Sequence, residues 1–167
     1  LENASGLDAV ASIPLDIYPG FVPHAQTLGS SDSSWAVCID IDADGDLDLI
    51  EAAHDSGSNR VYVNNGSGSF SDSGQSLGSN SSYAVVAGDV DGDGDPDLVF
   101  SNWLAGNRIY LNNGSGTFSD SGQGLGSDGT MGLDLGDVDG DGDLDLVASN
   151  SAKPNRVYLN NGSAVFS

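Results

Sequence analysis

Short apolar segments alternate with turns rich in Gly, Asn and Asp along the chain, without the 3.6-residue period of an amphipathic helix. In one unit this alternation predicts strands at Trp35 to Ile39, Leu47 to Ala53, Arg60 to Val63 and Ser69 to Gln75. The dipeptide Asn65-Gly66 separates the last two strands, and Asn-Gly accepts the positive φ angles of a tight hairpin. The pattern therefore predicts an all-β protein of antiparallel strands.

The predicted four-strand unit is a repeat. An acidic tract begins at Asp40, Asp89 and Asp137, and the same order of predicted strands accompanies each copy. Four antiparallel strands in about 48 residues are the sequence signature of a β-propeller blade. The expected units are a partial blade with strands two to four at 1–30, blades at 31–79 and 80–127, and a blade with a truncated last strand at 128–167. We therefore expect a β-propeller-type array of four-stranded blades, incomplete at both ends, that is one propeller domain or part of one.

Each acidic tract has the form D-x-D-x-D-G-D-x-D, with Asp at positions one, three, five, seven and nine and Gly at position six. Alternate side chains of a tightly curled loop converge on one point, and Gly allows the turn that brings the later ligands round. Oxygen donors without His or Cys disfavour zinc and copper, whereas Ca²⁺ takes about six to eight oxygen ligands. We therefore predict three calcium sites, one per loop. Their candidate ligands are Asp40, Asp42, Asp44, Asp46 and Asp48 in the first loop, Asp89, Asp91, Asp93, Asp95 and Asp97 in the second, and Asp137, Asp139, Asp141, Asp143 and Asp145 in the third.

Position seven differs from the other four acidic positions. There Asp46, Asp95 and Asp143 are expected to offer their backbone carbonyl oxygens, with the carboxylates facing water. Magnesium is an alternative ion for the loops, although it prefers a smaller octahedral site with several retained waters.

An EF-hand is excluded as the origin of the acidic pattern. That motif requires a twelfth ligand, which the first loop supplies as Glu51, but the other loops have Phe100 and Ala148 there. The flanking segments are also predicted strands, where an EF-hand needs helices. Solvated acidic turns are a weaker explanation, because three copies recur at a fixed spacing and crowded carboxylates repel one another without a cation.

The charge and the cysteine content exclude several kinds of binding partner and an intrachain disulfide. The chain has 167 residues, 25 of them acidic and 4 basic, and its formal net charge is −21. Such a charge repels phosphate backbones and anionic lipids, so neither nucleic-acid binding nor membrane insertion is expected. No apolar run approaches the roughly 20 residues that span a bilayer. Cys38 is the one cysteine, which excludes an intrachain disulfide.

The repeated segments DVDGDGDPDLVFSN and NRIYLNNGSGTF resemble the FG-GAP or VCBS-type repeats of bacterial surface proteins, which are related to the calcium-binding blades of integrin α-subunits. The resemblance covers 31–167 well and 1–30 weakly. It implies that the acidic loop joins strands one and two of a blade, and that Asp40, Asp42, Asp44 and Asp48, with their repeats, are calcium ligands. It also implies an extracellular or cell-surface module of the adhesive, lectin-like or enzyme-attached kind.

The chain departs from this family pattern in having too few repeats to close a propeller. A closed ring needs about four to eight blades, and 167 residues hold about 3.5 units. We expect either a piece of a longer protein, whose other blades complete the ring, or copies that assemble head to tail into a ring or filament.

The segments that differ among repeats are candidates for ligand recognition. Trp103 and Leu104 are candidate contacts for a glycan or a surface protein, although Trp103 is more often expected to pack on a neighbouring blade. The recurring Arg60, Arg108 and Arg156 predict a repeated structural ion pair. No catalytic arrangement is evident in the sequence. We expect a non-enzymatic calcium-binding module for adhesion, recognition or scaffolding. The alternatives are a self-assembling structural subunit and an accessory domain of a larger secreted enzyme.

Overall fold

Strands and turns alternate along the chain as the apolar pattern predicts. The computed structural model describes residues 26–29, 32–54 and 57–167. Its strands are β1 (Ser33–Ile39), β2 (Asp48–Ala53), β3 (Arg60–Asn64), β4 (Phe70–Asp72), β5 (Ser82–Gly88), β6 (Asp97–Asn102), β7 (Asn107–Asn112), β8 (Phe118–Leu125), β9 (Thr130–Gly136), β10 (Asp145–Asn150) and β11 (Arg156–Tyr158). These described residues contain no helix, and the all-β prediction is confirmed.

The strands form three separate antiparallel sheets in chain order. The first blade is the sheet β1-β2-β3-β4, the second is β5-β6-β7-β8, and the third is β9-β10-β11. Within each sheet, every strand therefore pairs with the strand that follows it in the chain, as in the up-and-down blades expected from the repeat. The expected partial blade at 1–30 lies outside the described residues except for 26–29.

The fourth strand of the first blade is shorter than predicted. The predicted strand reached Gln75, whereas β4 ends at Asp72 and the chain returns to the sheet only in the isolated bridge between Asn59 and Leu77. Between these two points, Gln75 contacts the second blade. Its Oε1 accepts a hydrogen bond of 2.9 Å from the backbone N–H of Phe118, and its Nε2 donates one of 2.8 Å to the carbonyl oxygen of Gly116.

The glutamine contact recurs at the other described boundaries between units. Gln123 of the second blade accepts a hydrogen bond of 3.1 Å from the backbone N–H of Phe166 in the third. Gln26 accepts one of 2.9 Å from the backbone N–H of Phe70 in the first. The segment before the first blade thus makes the contact that the end of a blade makes elsewhere in the array.

Apolar side chains fill the spaces between neighbouring blades. We call the face of a blade that packs on the preceding blade its leading face, and the opposite one its trailing face. Between the first two blades, Ile50 and Val61 meet Leu98 and Phe100, all of them fully buried. Between the second and third blades the core includes the buried Val90, Val99, Ile109, Leu125, Leu146 and Phe166. At both of these boundaries each blade contributes apolar side chains, so burial against a neighbour stabilises each unit.

Candidate metal centre

The acidic loops join strands one and two of each blade, where the family resemblance expected them. The first loop lies between β1 and β2, the second between β5 and β6, and the third between β9 and β10. The glycine at position six has a φ of 95° in Gly45, 97° in Gly94 and 99° in Gly142. Only glycine adopts this backbone conformation readily, so it sets the curl of each loop.

The first aspartate of each loop closes the curl by bonding the backbone of position six. Its Oδ2 accepts hydrogen bonds of 3.0 Å from the N–H of Gly45 in the first loop and of Gly94 in the second, and one of 3.1 Å from that of Gly142 in the third. These bonds hold the carboxylate at the centre of the loop, in position to face an ion.

The ninth aspartate anchors the loop to the blade. Asp48, Asp97 and Asp145 are fully buried. In Asp97, Oδ2 accepts a hydrogen bond of 3.0 Å from the N–H of Val90, and Oδ1 accepts one of 2.8 Å from the N–H of Asn112 at the end of β7. The first and third loops repeat both bonds. A buried carboxylate with two backbone donors ties the loop to the third strand of its own blade.

Three carboxylates converge in each loop. Their oxygens lie within 4.8 Å of one another, one from each of positions one, three and nine. The groups found among the described residues are Asp40, Asp42 and Asp48, then Asp89, Asp91 and Asp97, and finally Asp137, Asp139 and Asp145. An all-oxygen cluster of this kind fits a hard cation such as Ca²⁺ or Mg²⁺. Each loop can therefore hold a metal ion.

The aspartates at position five lie outside the converging groups. The Oδ1 of Asp44 accepts a hydrogen bond of 2.9 Å from the N–H of Asp46, and the later loops repeat this bond at Asp93 and Asp141. These side chains are exposed and stabilise the loop through a local turn.

The aspartates at position seven also lie outside the converging groups, and their surroundings differ from the expectation. Asp46, Asp95 and Asp143 are half-buried rather than fully in water. Each carboxylate lies over the glycine of the Asn-Gly turn, so that a Cβ added to Gly66 would stand 2.4 Å from Oδ2 of Asp46. This contact joins the loop to the hairpin between strands three and four.

The first loop contains an oxygen with no hydrogen-bond partner. Oδ1 of Asp40 is inaccessible to water and unpartnered. In the other loops this oxygen accepts a bond from the N–H at position four, at 2.8 Å from Gly92 and 2.6 Å from Gly140. The first loop has Ala43 at that position. A buried carboxylate oxygen without a donor is costly, and a bound cation would satisfy it, so the first loop also fits a metal.

The carboxylates at position three have raised pKa values. Burial is the largest cause that raises the pKa of Asp42, Asp91 and Asp139, and neighbouring carboxylates raise each pKa further. A raised pKa means that the ionised form is destabilised where it stands. A cation in the loop would reverse that effect.

The ninth-position carboxylates respond to their individual surroundings. Burial raises the pKa of Asp97 to about 6, although the backbone donors of Asn112 and Val90 act to lower it. The pKa of Asp145 is lowered instead, mainly by hydrogen bonds from the N–H groups of Asn160 and Val138.

The residue before each Asn-Gly turn has a role that sequence reasoning missed. The Nδ2 of Asn160 donates a hydrogen bond of 2.7 Å to the carbonyl oxygen of Val90, inside the acidic loop of the preceding blade. Asn112 makes the same contact to the carbonyl oxygen of Ile41 at 2.8 Å. The signal was present as a repeated Asn-Asn pair, but its first member reads in the sequence as part of the turn.

The opposite end of the blades carries the segments that differ among repeats, including the one with Trp103 and Leu104. Trp103 packs across to the third blade, where a Cβ on Gly129 would lie 2.7 Å from its ring, and its centroid is 5.5 Å from that of Tyr83. Packing on a neighbouring blade is thus the observed role of Trp103, which remains 38% exposed, while Leu104 is 70% exposed.

The predicted arginine ion pairs are confirmed. Arg60 pairs with Asp72 at 3.6 Å, and Arg108 pairs with Asp120 at the equivalent place in the second blade. Arg156 of the third blade pairs instead with Asp128, also at 3.6 Å.

Comparison with known proteins agrees with this geometry. The family model of FG-GAP-like repeats matches residues 40–100 and 89–148, and each match runs from one acidic loop into or through the next blade. No curated protein sequence matches the chain. None of the described segments forms a helix with the length and hydropathy that crossing a bilayer requires. The paired matches, the four-stranded blades and the acidic loops between strands one and two identify the chain as a member of the FG-GAP-like repeat family.

Proposed function

We propose that this chain is a non-enzymatic, calcium-binding β-propeller-type module of an extracellular or cell-surface protein, serving adhesion, recognition or scaffolding. The observation that carries the proposal is the convergence of three carboxylates in each of the three loops. Two like charges at 4 Å repel by about 1 kcal/mol even in bulk water, and more where water is excluded. A divalent ion bound by these carboxylates would turn that repulsion into attraction.

Calcium is favoured over other ions by the donor set. The converging atoms are all carboxylate oxygens, which excludes the softer donors that select zinc and copper. Three carboxylates leave room for further oxygens, as the larger coordination number of calcium requires, whereas magnesium retains most of its waters. The residues that would hold the ions are those at positions one, three and nine, with position-five carboxylates and position-seven carbonyls as further candidate ligands from the family resemblance.

The ion would stabilise more than its own loop. Asp48, Asp97 and Asp145 bond the backbone at or just after the end of the third strand of their own blades, and the loop carbonyls of Ile41 and Val90 accept bonds from the following blades. Neutralising the loop would therefore strengthen contacts between blades as well. An extracellular location suits this design, because millimolar calcium fills even weak sites.

Isothermal titration of chelator-treated protein tests the proposal. We expect three calcium ions per chain, and a rise in stability of about 2.7 kcal/mol for each site filled at a hundred times its Kd. The variant Asp91→Asn, which removes one carboxylate from the second loop, should weaken one site. Asp134→Asn, an exposed carboxylate on β9, is the matched control and should leave all three sites intact. An unchanged melting temperature on chelation would contradict the proposal.

Head-to-tail assembly is a second candidate function, which the third blade favours. On its trailing face Val138 is 52% exposed and Val157 is 55% exposed, whereas the equivalent Val90 and Ile109 of the second blade are at most 1% exposed. A second copy of this chain that brings its first blade to this trailing face would repeat the contact already made twice within the chain.

Sedimentation of calcium-loaded protein tests the assembly. We expect oligomers that grow with concentration, and a shift to monomer in the variant Val157→Asp. Leu104→Asp, which places the same charge at an exposed apolar position of the second blade, should leave assembly unchanged. A wild-type chain that is monomeric at every concentration would remove this candidate and leave the calcium-binding module untouched.

A further inference from the structure

The second blade contains a cavity of about 420 Å³ at its end opposite the acidic loop. Its lining includes Arg108 and Tyr110 of β7, Asp120 and Gly124 of β8, and Asn80 in the linker from the first blade. The volume is within the range of small-molecule sites, about 300 to 1,000 Å³. Neither the acidic loops nor the variable segment at Trp103 and Leu104 forms this cavity.

An irregularity in the outer strand produces the opening. Residue Arg108 pairs with Gly124 and Tyr110 pairs with Asp120, so that residues 121–123 bulge out opposite the single residue Ile109. The wall beside the bulge is bare backbone, because a Cβ on Gly106 would lie only 2.9 Å from the Cα of Gly124. A bulge of this kind re-aims the side chains on either side of it, here Asp120 toward Arg108.

Two polar side chains of the cavity, Arg108 and Asp120, place hydrogen-bond donors next to hydrogen-bond acceptors. Arg108 and Asp120 form an ion pair whose side chains are 31% and 38% exposed, so both still present atoms to solvent. A guanidinium and a carboxylate that lie together can hydrogen-bond two adjacent hydroxyl groups, one donating and the other accepting.

The second blade differs from the first around the tyrosine of the cavity. In the first blade, the hydroxyl of Tyr62 donates a hydrogen bond of 3.0 Å to Oε2 of the buried Glu51. The second blade has Phe100 at the position of Glu51, packed edge-on against Tyr110 with centroids 5.7 Å apart. The hydroxyl end of Tyr110 therefore lines the cavity without a carboxylate from the core beside it.

The chemistry of the walls selects one class of ligand. A ligand of either charge meets one attracting and one repelling group in the Arg108–Asp120 pair, the net charge of −21 further disfavours anions, and apolar groups would leave the polar lining without partners. We propose that this cavity binds a neutral sugar residue, with adjacent hydroxyl groups bonded to Arg108 and Asp120. This site rests on the proposed recognition role of the module and gives it a substrate class.

Nuclear magnetic resonance titration of the calcium-loaded chain tests the site. The probes are methyl α-mannopyranoside, methyl β-galactopyranoside and N-acetylglucosamine, with glucuronate as the anionic comparison. We expect at least one neutral sugar to shift the amide signals of residues 78–80, 106–110 and 120–126, with a Kd in the millimolar range. Glucuronate should bind more weakly than that sugar.

Two variants probe the cavity without disturbing the fold. In the wild type, Oδ1 of Asp120 accepts a hydrogen bond of 2.8 Å from the N–H of Gly122, and Asp120→Asn keeps an oxygen that can accept it. The variant loses the negative charge and should weaken sugar binding about tenfold or more. Gly124→Ala adds a methyl group 3.7 Å from Nη1 of Arg108, an ordinary contact, and should weaken sugar binding by narrowing the cavity beside that guanidinium. The controls are Asp72→Asn and Ser76→Ala, the equivalent positions of the first blade, which should leave sugar binding unchanged.

Two results would overturn the site: no shift of the cavity signals by any of the three neutral sugars, or equal binding by wild type, Asp120→Asn and Gly124→Ala. Calcium titration of the same samples separates this failure from that of the proposed function. If calcium still binds and raises the melting temperature, the sugar site alone is wrong. If calcium does not bind, the proposed function is wrong as well.

Discussion

The side-chain amide of Asn112 in the second blade donates a hydrogen bond of 2.8 Å to the carbonyl oxygen of Ile41, within the acidic loop of the first blade. The same Nδ2 donates to the carbonyl oxygen of Pro96 at 3.1 Å, in the acidic loop of its own blade. One buried amide therefore hydrogen-bonds two candidate metal loops, one in each of two neighbouring blades.

Replacing this amide should destabilise the array. Asn112→Ala leaves two carbonyl oxygens without their donor in a buried setting, at a cost of about 1–3 kcal/mol. Asn64→Ala is the comparison, because the exposed bonds of the Asn64 side chain, to the carbonyl oxygen of Leu47 and from the N–H groups of Gly66 and Gly68, all lie within its own blade. Urea denaturation in calcium should show a clearly larger loss for Asn112→Ala. Equal losses in the two variants would mean that the bond between blades contributes nothing of its own.

The glutamine contacts give a second prediction about cohesion between blades. Gln75→Ala removes both bonds to the second blade and should lower the free energy of unfolding by about 1–2 kcal/mol. Gln75→Glu keeps an acceptor for the N–H of Phe118 but places a carboxylate beside the carbonyl oxygen of Gly116, so it should not restore stability. Thermal melts of both variants are the measurement, with the exposed Ser76→Ala as control. A Gln75→Glu variant as stable as wild type would contradict this role of the amide.

Two glycines of one hairpin separate steric contact from backbone strain. Gly66 and Gly68 have φ angles of 77° and 76°, so alanine at either position is strained to the same degree. A Cβ on Gly66 would stand 2.4 Å from Oδ2 of Asp46, whereas a Cβ on Gly68 meets nothing within 4 Å. Gly66→Ala should therefore be less stable than Gly68→Ala by about 1–3 kcal/mol. Urea denaturation of the two variants measures the difference, and equal stabilities would show that the contact with Asp46 relaxes freely.

The pH dependence of stability should reverse sign when calcium is added. Without calcium, the pKa of Asp97 is about 6, above the ordinary value of 3.8, so the folded state binds more protons than the unfolded state between these values. This contribution is fully present below 3.8 and is lost as the pH rises through about 6. The raised pKa values of Asp42, Asp91 and Asp139 act in the same direction. Chelated protein should melt at a higher temperature near pH 5 than near pH 7.5.

With calcium bound, protons compete with the ion for the same carboxylates, so acidification should lower the melting temperature. Melts at the two pH values, each with chelator and with calcium, measure both slopes. Asp97→Asn should reduce the slope in chelator. A chelated wild-type protein that loses stability near pH 5 would contradict the assignment of the raised pKa to this carboxylate.

The repeat, the strand content and the loop positions could be read from the amino-acid order because they depend on local patterns. Alternating apolar positions set β1, β2 and β3 within one or two residues of the prediction, and the Asn-Gly turn joins strands three and four as expected. The fourth strand was predicted too long: β4 ends at Asp72, although the nearly identical segment of the second blade continues as β8 to Leu125. The fold class therefore followed from short-range regularity, and the strand end did not.

The arrangement within the candidate metal sites required the folded chain. Aspartate occupies every odd-numbered position from one to nine in each loop, yet only Asp40, Asp42 and Asp48 and their repeats converge. Asp46 lies over Gly66 instead, and Asn112 supports the first loop from 71 residues away along the chain. Backbone curl and contacts between distant strands choose among chemically identical side chains, because a carboxylate's role depends on which donors surround it in space and not on its neighbours in sequence.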